Sequence, residues 1–377
     1  NEARMEQALI DYLAVEGQLP DHHADTWDLD DPCFPRRVGH PLWGVLPARD
    51  SADLFGESQG SARDDTLWDL FRTLCDRASS AIGTLDTYKL RPKHGPGAVA
   101  EGPAEIKYDF SHWPRKLQQL FPWDYFATAD LGYWRYANAL APSSTELPSI
   151  VLCVPKTQKG PRIICKEPIS HQWIQGGMER FLVERINSTF LRHSIDLHDQ
   201  EPSKVLAKQA SIDGSLATVD LSAASDRIST RLVEYVFQSG SSDRSVLEAL
   251  HACRSRYFKM GDALYKFRKF APAGSACTFP VQSIIFTMMG ITAVMYSRGL
   301  HPTTDSIETC ARLVRVFGDD IIVPTDAIPV LYHLLSESGL KVSERKSFWT
   351  GLFRESCGMD AYAGVDVTPV YVRDIYS

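Results

Sequence analysis

The chain has 377 residues, 44% apolar and 23% charged, a balance that argues against wholesale disorder and leaves room for roughly two to three ordinary domains. Forty Lys and Arg against 47 Asp and Glu give a net charge of −7, which excludes a globally cationic, histone-like binder but not a local basic channel. Eight cysteines, with no CxxC and no paired spacing, speak against a disulfide framework or zinc ribbon and for a reducing compartment.

Nothing like a secretory signal opens the sequence, because residues 1–32 hold nine acids against the single base Arg4. Met5, Ala8, Leu9, Tyr12 and Leu13 recur at helical spacing and predict a first helix. Residues 20–50, rich in Pro, Asp and His, read as irregular surface. A second helix is expected near 64–81, with Leu67, Leu70, Phe71, Leu74 and Ala78 on one face. The Gly/Pro-rich stretch 91–103 marks a boundary or hinge. Ile150–Val154 reads as a strand, followed by a basic loop and then a helix of about 20 residues burying Trp173, Ile174, Met178 and Leu182.

From residue 215 strands and helices mix. Ala217–Leu221 and Leu313–Phe317 read as strands, with a tight turn at Gly318-Asp319 returning into Asp320–Val323. Ile284–Tyr296 is apolar but too short to span a bilayer, and reads as a core helix. The expected class is α+β with an antiparallel sheet. His22, His23, His193 and His198 lack the companions a zinc site needs. The last residues, Tyr371–Ser377, read as a strand rather than a finished tail, so a partial chain is expected.

The sharpest motif is Phe317-Gly-Asp319-Asp320 between apolar strand residues. Taken alone it also fits a solvated hairpin turn. Two adjacent carboxylates enclosed by hydrophobic strands repel each other unless a cation neutralises them, and Mg²⁺ prefers such hard oxygens. Upstream, Asp220 ends an apolar strand and Asp226 begins a turn towards a helix, where an N-cap role would also serve. One acid from each of two neighbouring strands is the arrangement two-metal phosphoryl transfer requires. Between these motifs, Gly274-Ser275-Ala-Cys-Thr278 and Gln282 open the long apolar helix; Ser, Thr and Gln can hydrogen-bond a sugar hydroxyl.

Two basic segments stand out. Lys156, Lys159, Arg162 and Lys166 punctuate residues 154–168, where Arg can fork onto phosphate and Lys act as a point charge. Arg254, Arg256, Lys259, Lys266, Arg268 and Lys269 interleave with Tyr257, Phe258, Tyr265, Phe267 and Phe270. That pattern suits an RNA-backbone groove with stacking, and equally a strand with one buried face.

The order of motifs resembles the palm of viral RNA-directed RNA polymerases. The wording is closer still to the replicase catalytic (beta) subunit of single-stranded RNA bacteriophages of levivirus type. Asp220-Leu-Ser-Ala-Ala-Ser-Asp226, Phe317-Gly-Asp-Asp-Ile-Ile322, Phe353-Arg-Glu-Ser-Cys-Gly358 and Gly364-Val-Asp-Val-Thr-Pro369 carry the resemblance, with His94-Gly-Pro-Gly97 an echo before residue 150. It implies that Asp220, Asp319 and Asp320 bind two Mg²⁺ ions, or Mn²⁺ in their place. Asp226, Ser275, Thr278 and Gln282 would then sense the ribose, with Gln282 standing where other viral relatives carry Asn. Lys156, Lys159, Arg162 and Lys166 would lie over the triphosphate. Lys346 occupies the region of a general acid for pyrophosphate, with Lys341 and Arg345 as competitors.

The resemblance implies a right-hand fold. Residues 1–95 would be an N-terminal extension or outer fingers, 96–211 fingers, and 212–350 palm with an RNA-channel segment near 240–272. Residues 351–377 would form a palm–thumb junction, with the thumb cut short. It further implies RNA template and product, NTPs, host elongation factors Tu and Ts, a host ribosomal protein, no membrane, and the cytoplasm of a bacterial host. A non-catalytic RNA-binding or assembly protein on a polymerase-like palm, or a reverse transcriptase, remains an alternative at this point.

Overall fold

The computed structural model describes residues 2–19, 62–128, 143–157, 160–238 and 243–369. Helices α1 (Glu2–Gln18) and α2 (Ala62–Ile82) precede a hairpin of β1 (Ser149–Thr157) and β2 (Gly160–Lys166). Helices α3 (Ile169–Ser188) and α4 (Glu201–Asp213) lead to β3 (Leu216–Val219) and the two-residue β4 (Leu221–Ser222). After a helical turn at Ala224–Arg227 come α5 (Thr230–Phe237), α6 (Ser245–Cys253), β5 (Tyr257–Met260) and β6 (Ala263–Lys266). Next are α7 (Thr278–Ser297), α8 (Thr304–Ala311), β7 (Arg315–Phe317), β8 (Asp320–Pro324), α9 (Ile328–Glu337) and β9 (Lys341–Val342). Strands β10 (Phe353–Ser356), β11 (Met359–Tyr362) and β12 (Val365–Asp366) close the described chain. The class is α+β, as the sequence predicts. The irregular stretch 20–50 with His22 and His23, Lys159, and the strand expected at Tyr371–Ser377 lie outside the described residues.

The chain divides into two compact units. One contains α1, Cys75–Arg185 and Ser225–Val281; the other contains Ile186–Ala224 and the chain from Gln282 onward, with the start of α2.

In the first unit the sheet runs β2-β1-β5-β6. The basic run expected to be a loop is instead strand, pairing Val154 with Arg162 and Ile150 with Lys166. The reason is period-two burial: Val151, Ile163 and Cys165 face a core with Phe258, Met260, Tyr265 and Phe267, and α1 covers that face with Tyr12 and Leu13. Burying each large side chain contributes about 1.5–3 kcal/mol, enough to hold an amphipathic helix of modest propensity in place. β1 pairs with β5 in parallel, through Ser149–Phe258 and Ile150–Lys259, so this sheet is mixed rather than purely antiparallel.

In the second unit β3, β8 and β7 form an antiparallel sheet in the order β3-β8-β7. Its register sets Leu216 opposite Pro324 and Val219 opposite Ile321. Apolar all round, α7 has the length and mean hydropathy to cross a membrane, yet 89% of its apolar window is buried, as suits a core helix. The β10-β11-β12 meander completes this unit, packed against α4.

Candidate active site

The carboxylates come together through strand register. Val219 pairs with Ile321 and Phe317 pairs with Asp320, so Asp220, one residue past β3, reaches the same sheet end as the β7–β8 turn. Gly318 and Asp319 form that two-residue turn, and Gly318 sits at φ +63°, a left-handed conformation that glycine adopts without a steric penalty. Asp319 is exposed and Asp320 half-buried at the start of β8.

A strap of residues 343–348 fixes the main chain of Asp220. The Asp220 N–H donates to Ser347 Oγ at 3.0 Å, the Ser343 N–H donates to the Asp220 carbonyl at 2.8 Å, and Phe348 bridges Thr218. The same strap brings Lys346 Nζ to 4.0 Å from Asp220 Oδ2, with the lysine side chain 57% exposed.

Across the acid group lies the β10–β11 turn, Cys357-Gly358. Both residues have positive φ, Cys357 at +51° and Gly358 at +79°, the two-residue I′ geometry that suits tight hairpins. A non-glycine residue there carries strain of about 1–2 kcal/mol, and the turn delivers the Cys357 N–H and Sγ to Asp320 Oδ2 at 3.2 and 3.5 Å.

The electrostatics report an excess of negative charge. Burial, then the neighbouring Asp319 and Asp220, push the Asp320 carboxyl up to about 6 against the opposing Cys357 hydrogen bonds. Glu355 on β10 is likewise raised, by burial and Asp360, with Asp220 adding to the effect and Lys346 opposing it. Among the described residues no group of three or more His, Cys, Asp or Glu is drawn together tightly enough to hold a metal ion as it stands. The donor set nevertheless fits one. Asp220, Asp319 and Asp320 are hard oxygen ligands of the kind Mg²⁺ takes, and their mutual repulsion is what a divalent cation relieves.

The other predicted residues divide by environment. Asp226, in the first unit, receives Lys269 Nζ on Oδ1 at 2.7 Å. Ser275 and Thr278 build the turn into α7, the Thr278 hydroxyl donating to the Pro272 carbonyl at 2.7 Å and the Ser275 hydroxyl accepting from the Cys277 N–H at 3.4 Å. Gly274 before them has φ +124°, and a Cβ there would lie 2.0 Å from the Cys165 carbonyl; the glycine serves close packing on β2. Gln282, in the second unit, is buried, and its Oε1 has no hydrogen-bond partner among the described residues.

The basic residues split by strand face. Register puts Arg162, Lys166, Lys259 and Lys266 on the face of the β2-β1-β5-β6 sheet opposite α1, beside the exposed Leu152 and Leu264. The side chains of Lys156 and Lys159 lie outside the described residues. Other bases predicted to meet RNA have internal partners. Arg254 is buried and donates to the Phe270 and Lys269 carbonyls. Arg256 pairs with Glu146 at 2.5 Å, Arg268 reaches the Gly17 and Leu19 carbonyls at 3.4 Å, and Lys269 has no exposed surface.

Three contributors receive no role from the motifs: Ser347 and Cys357 around the acids, Cys357 inside a quoted motif, and Glu16 beside Lys269. Glu16 left a trace, because it continues the apolar stripe of α1 one turn beyond Tyr12, where an acid is out of place.

Comparison with known proteins bears on this geometry. A family model described as RNA replicase, beta-chain, matches residues 144–376. The RNA-directed RNA polymerase beta chain of Escherichia phage MS2 is 37% identical over 223 residues, covering 59% of this chain and 37% of that protein. The beta chain of Enterobacteria phage GA is 37% identical over 220 residues, 58% of this chain and 38% of its own. The RNA-directed RNA polymerase subunit beta of Escherichia virus Qbeta is 35% identical over 221 residues, 58% and 34% respectively. The match thus spans little more than a third of each of these relatives, and the family-model match over residues 144–376 takes in every acid of the β3/β8 sheet end. On a match across more than half its length, the chain belongs to the RNA replicase beta-chain family.

Proposed function

We propose that the chain carries out template-directed RNA synthesis: an RNA 3′-hydroxyl attacks the α-phosphate of an NTP and pyrophosphate leaves. Its biological setting is replication of a single-stranded RNA phage genome in the cytoplasm of a bacterial host. The observation that carries this reading is the crowding of Asp220, Asp319 and Asp320 at one end of β3 and β8, in a chain of a replicase family. Acids so placed have no packing role that would justify their repulsion; they suit a cation-dependent phosphoryl transfer.

Asp220, Asp319 and Asp320 would hold Mg²⁺, which when bound lowers the pKa of the attacking hydroxyl and steadies the leaving pyrophosphate. The strap through Ser343 and Ser347 keeps Asp220 from rotating away with its backbone. Lys346, exposed and 4.0 Å from Asp220, is the base best placed among Lys341, Arg345 and itself to give a proton to pyrophosphate. Asp226 is read as the acid facing the ribose 2′-hydroxyl, the group that separates RNA from DNA precursors. The open face bearing Arg162, Lys166, Lys259 and Lys266 supplies positive charge for triphosphate and RNA backbone.

In right-hand terms residues 96–211 are read as fingers and residues 212–350, which include the β3-β8-β7 sheet, as palm. The host partners, elongation factors Tu and Ts and a ribosomal protein, rest on family resemblance alone. The test is incorporation of labelled NTP on a short RNA primer-template with Mg²⁺, beside Asp319→Asn. Incorporation abolished by that substitution, with RNA binding retained, supports the reading; incorporation indifferent to it overturns the assignment of the acids.

A further inference from the structure

We propose that helix α1 governs nucleotide-sugar selectivity: Glu16, acting through the buried Lys269, holds the Asp226 carboxylate in the orientation that accepts a hydroxyl. Glu16 and Lys269 are then positioning residues. The inference rests on reading Asp226 as the ribose-facing acid.

The Lys269 ammonium is wholly buried, a placement that forfeits its hydration and calls for compensating partners. One N–H donates to Asp226, and two groups of α1 face the charge without taking a hydrogen bond from it, a carboxylate in ion-pair contact and an aromatic ring. Asp226 Oδ1 lies at 2.7 Å, Glu16 Oε1 at 3.0 Å, and the Tyr12 ring centroid at 3.6 Å beneath the charge. The ammonium is thereby fixed on three sides, two of them supplied by α1.

The same helix end grips the neighbouring backbone. Glu16 Oε2 accepts the Arg268 N–H at 2.8 Å, Arg227 donates to Gln18 Oε1 at 2.8 Å, and Arg268 meets the carbonyls that end the helix, where positive charge is favoured. The last turn of α1 therefore holds Arg227 and residues 268–269 directly, and Asp226 through Lys269.

Asp226 itself is only partly enclosed, at 21% exposure. Its Oδ1 is held by Lys269, while Oδ2 has no hydrogen-bond partner among the described residues. A carboxylate only accepts and a ribose hydroxyl can donate. One oxygen is thus anchored by the protein and the other is left for a donor from outside. A pair that served stability alone would have no reason to leave the second oxygen uncovered.

The test compares Lys269→Met, Glu16→Gln and Asp226→Asn with the unaltered protein. ATP and dATP are measured in single-nucleotide incorporation on an RNA primer-template, and in binding by calorimetry, which does not depend on turnover. Lys269→Met and Glu16→Gln are expected to reduce the ATP-over-dATP preference about tenfold, the worth of one hydrogen bond to a charged group. The loss should fall on KM and Kd for ATP, with dATP values moving less than about twofold. Equal losses for both nucleotides, or none, overturn the proposal. Because Lys269→Met leaves two acids facing each other and can unfold the chain, the shape-conserving Glu16→Gln decides in that event. If Asp226→Asn alone shifts the preference, the reading of Asp226 stands and the role of α1 falls. If Asp226→Asn also leaves it unchanged, both fall.

Discussion

Buried and half-buried acids meet opposite fates in the two units of this chain. In the first, Glu146 lies between two cations, Lys116 Nζ at 2.7 Å and Arg256 at 2.5 Å, with the buried His171 imidazole Nε2 at 3.6 Å. Burial pushes its carboxyl up, but Lys116, His171 and Arg256 outweigh this and hold it well below the usual range. In the second, Asp220, Asp319 and Asp320 share a sheet end with the exposed Lys346 as the nearby base, and Asp320 is driven up to about 6. The first arrangement is complete within the chain. The second carries an excess of negative charge that a bound cation would relieve, and this is why we propose it as the catalytic centre.

The comparison can be broken in order of expected effect. Glu146→Ala strands Lys116 and Arg256 in the interior and should lower unfolding free energy by about 3–5 kcal/mol, read by denaturant titration. The pH dependence has a definite sign. Because the folded-state carboxyl lies below its ordinary value of 4.5, its contribution is complete above that value and drains as pH falls through the folded-state pKa. Glu146→Gln should therefore flatten the acid limb of stability; an unchanged limb would show that other groups dominate.

Asp319→Asn in the second unit should do the reverse, leaving stability near wild type while abolishing incorporation. Mg²⁺ at ten times its Kd should stabilise the folded chain by about 1.4 kcal/mol, and Asp320→Asn should remove that gain in a thermal-shift titration. A gain that survived the substitution would place the ion elsewhere. The smallest effect is expected at Cys357. Cys357→Gly keeps the left-handed turn and should change stability by no more than about 1 kcal/mol, in the stabilising direction, whereas Cys357→Val should destabilise by about 1–2 kcal/mol.

What was legible in the sequence was local. The Phe317–Asp320 turn announced itself because glycine, two acids and flanking β-branched residues admit few other shapes, and α7 because thirteen nearly unbroken apolar residues must be buried. The fate of the bases in 254–270 was not legible. Alternation identified a strand, but whether a given arginine or lysine met solvent depended on acids far away in the chain. Glu146, which takes Arg256, is 110 residues distant, and Glu16, which takes Lys269, is 253. A composition of six bases therefore resembled a uniform RNA-binding stripe, while the fold commits Arg254 and Lys269 to the interior and leaves Lys259 and Lys266 on an open face. The strap behind Asp220 was hidden for the same reason, since Ser347 lies 127 residues from its partner.

The docking of α1 also has a consequence in time. A separation of 253 residues divides Glu16 from the Lys269 backbone it receives. At roughly 5–20 residues per second of synthesis, that is on the order of 10–50 s between the two ends of the contact. Until β1 and β2 are made the apolar stripe of α1 has no sheet to lie against, and until β5 and β6 follow it is covered only in part. Since loop closure grows only slowly more costly with length, the finished contact loses little by its reach. The burden falls on the ribosome-bound intermediate, which makes the N-terminal helix the segment whose exposure a slowed ribosome would prolong most.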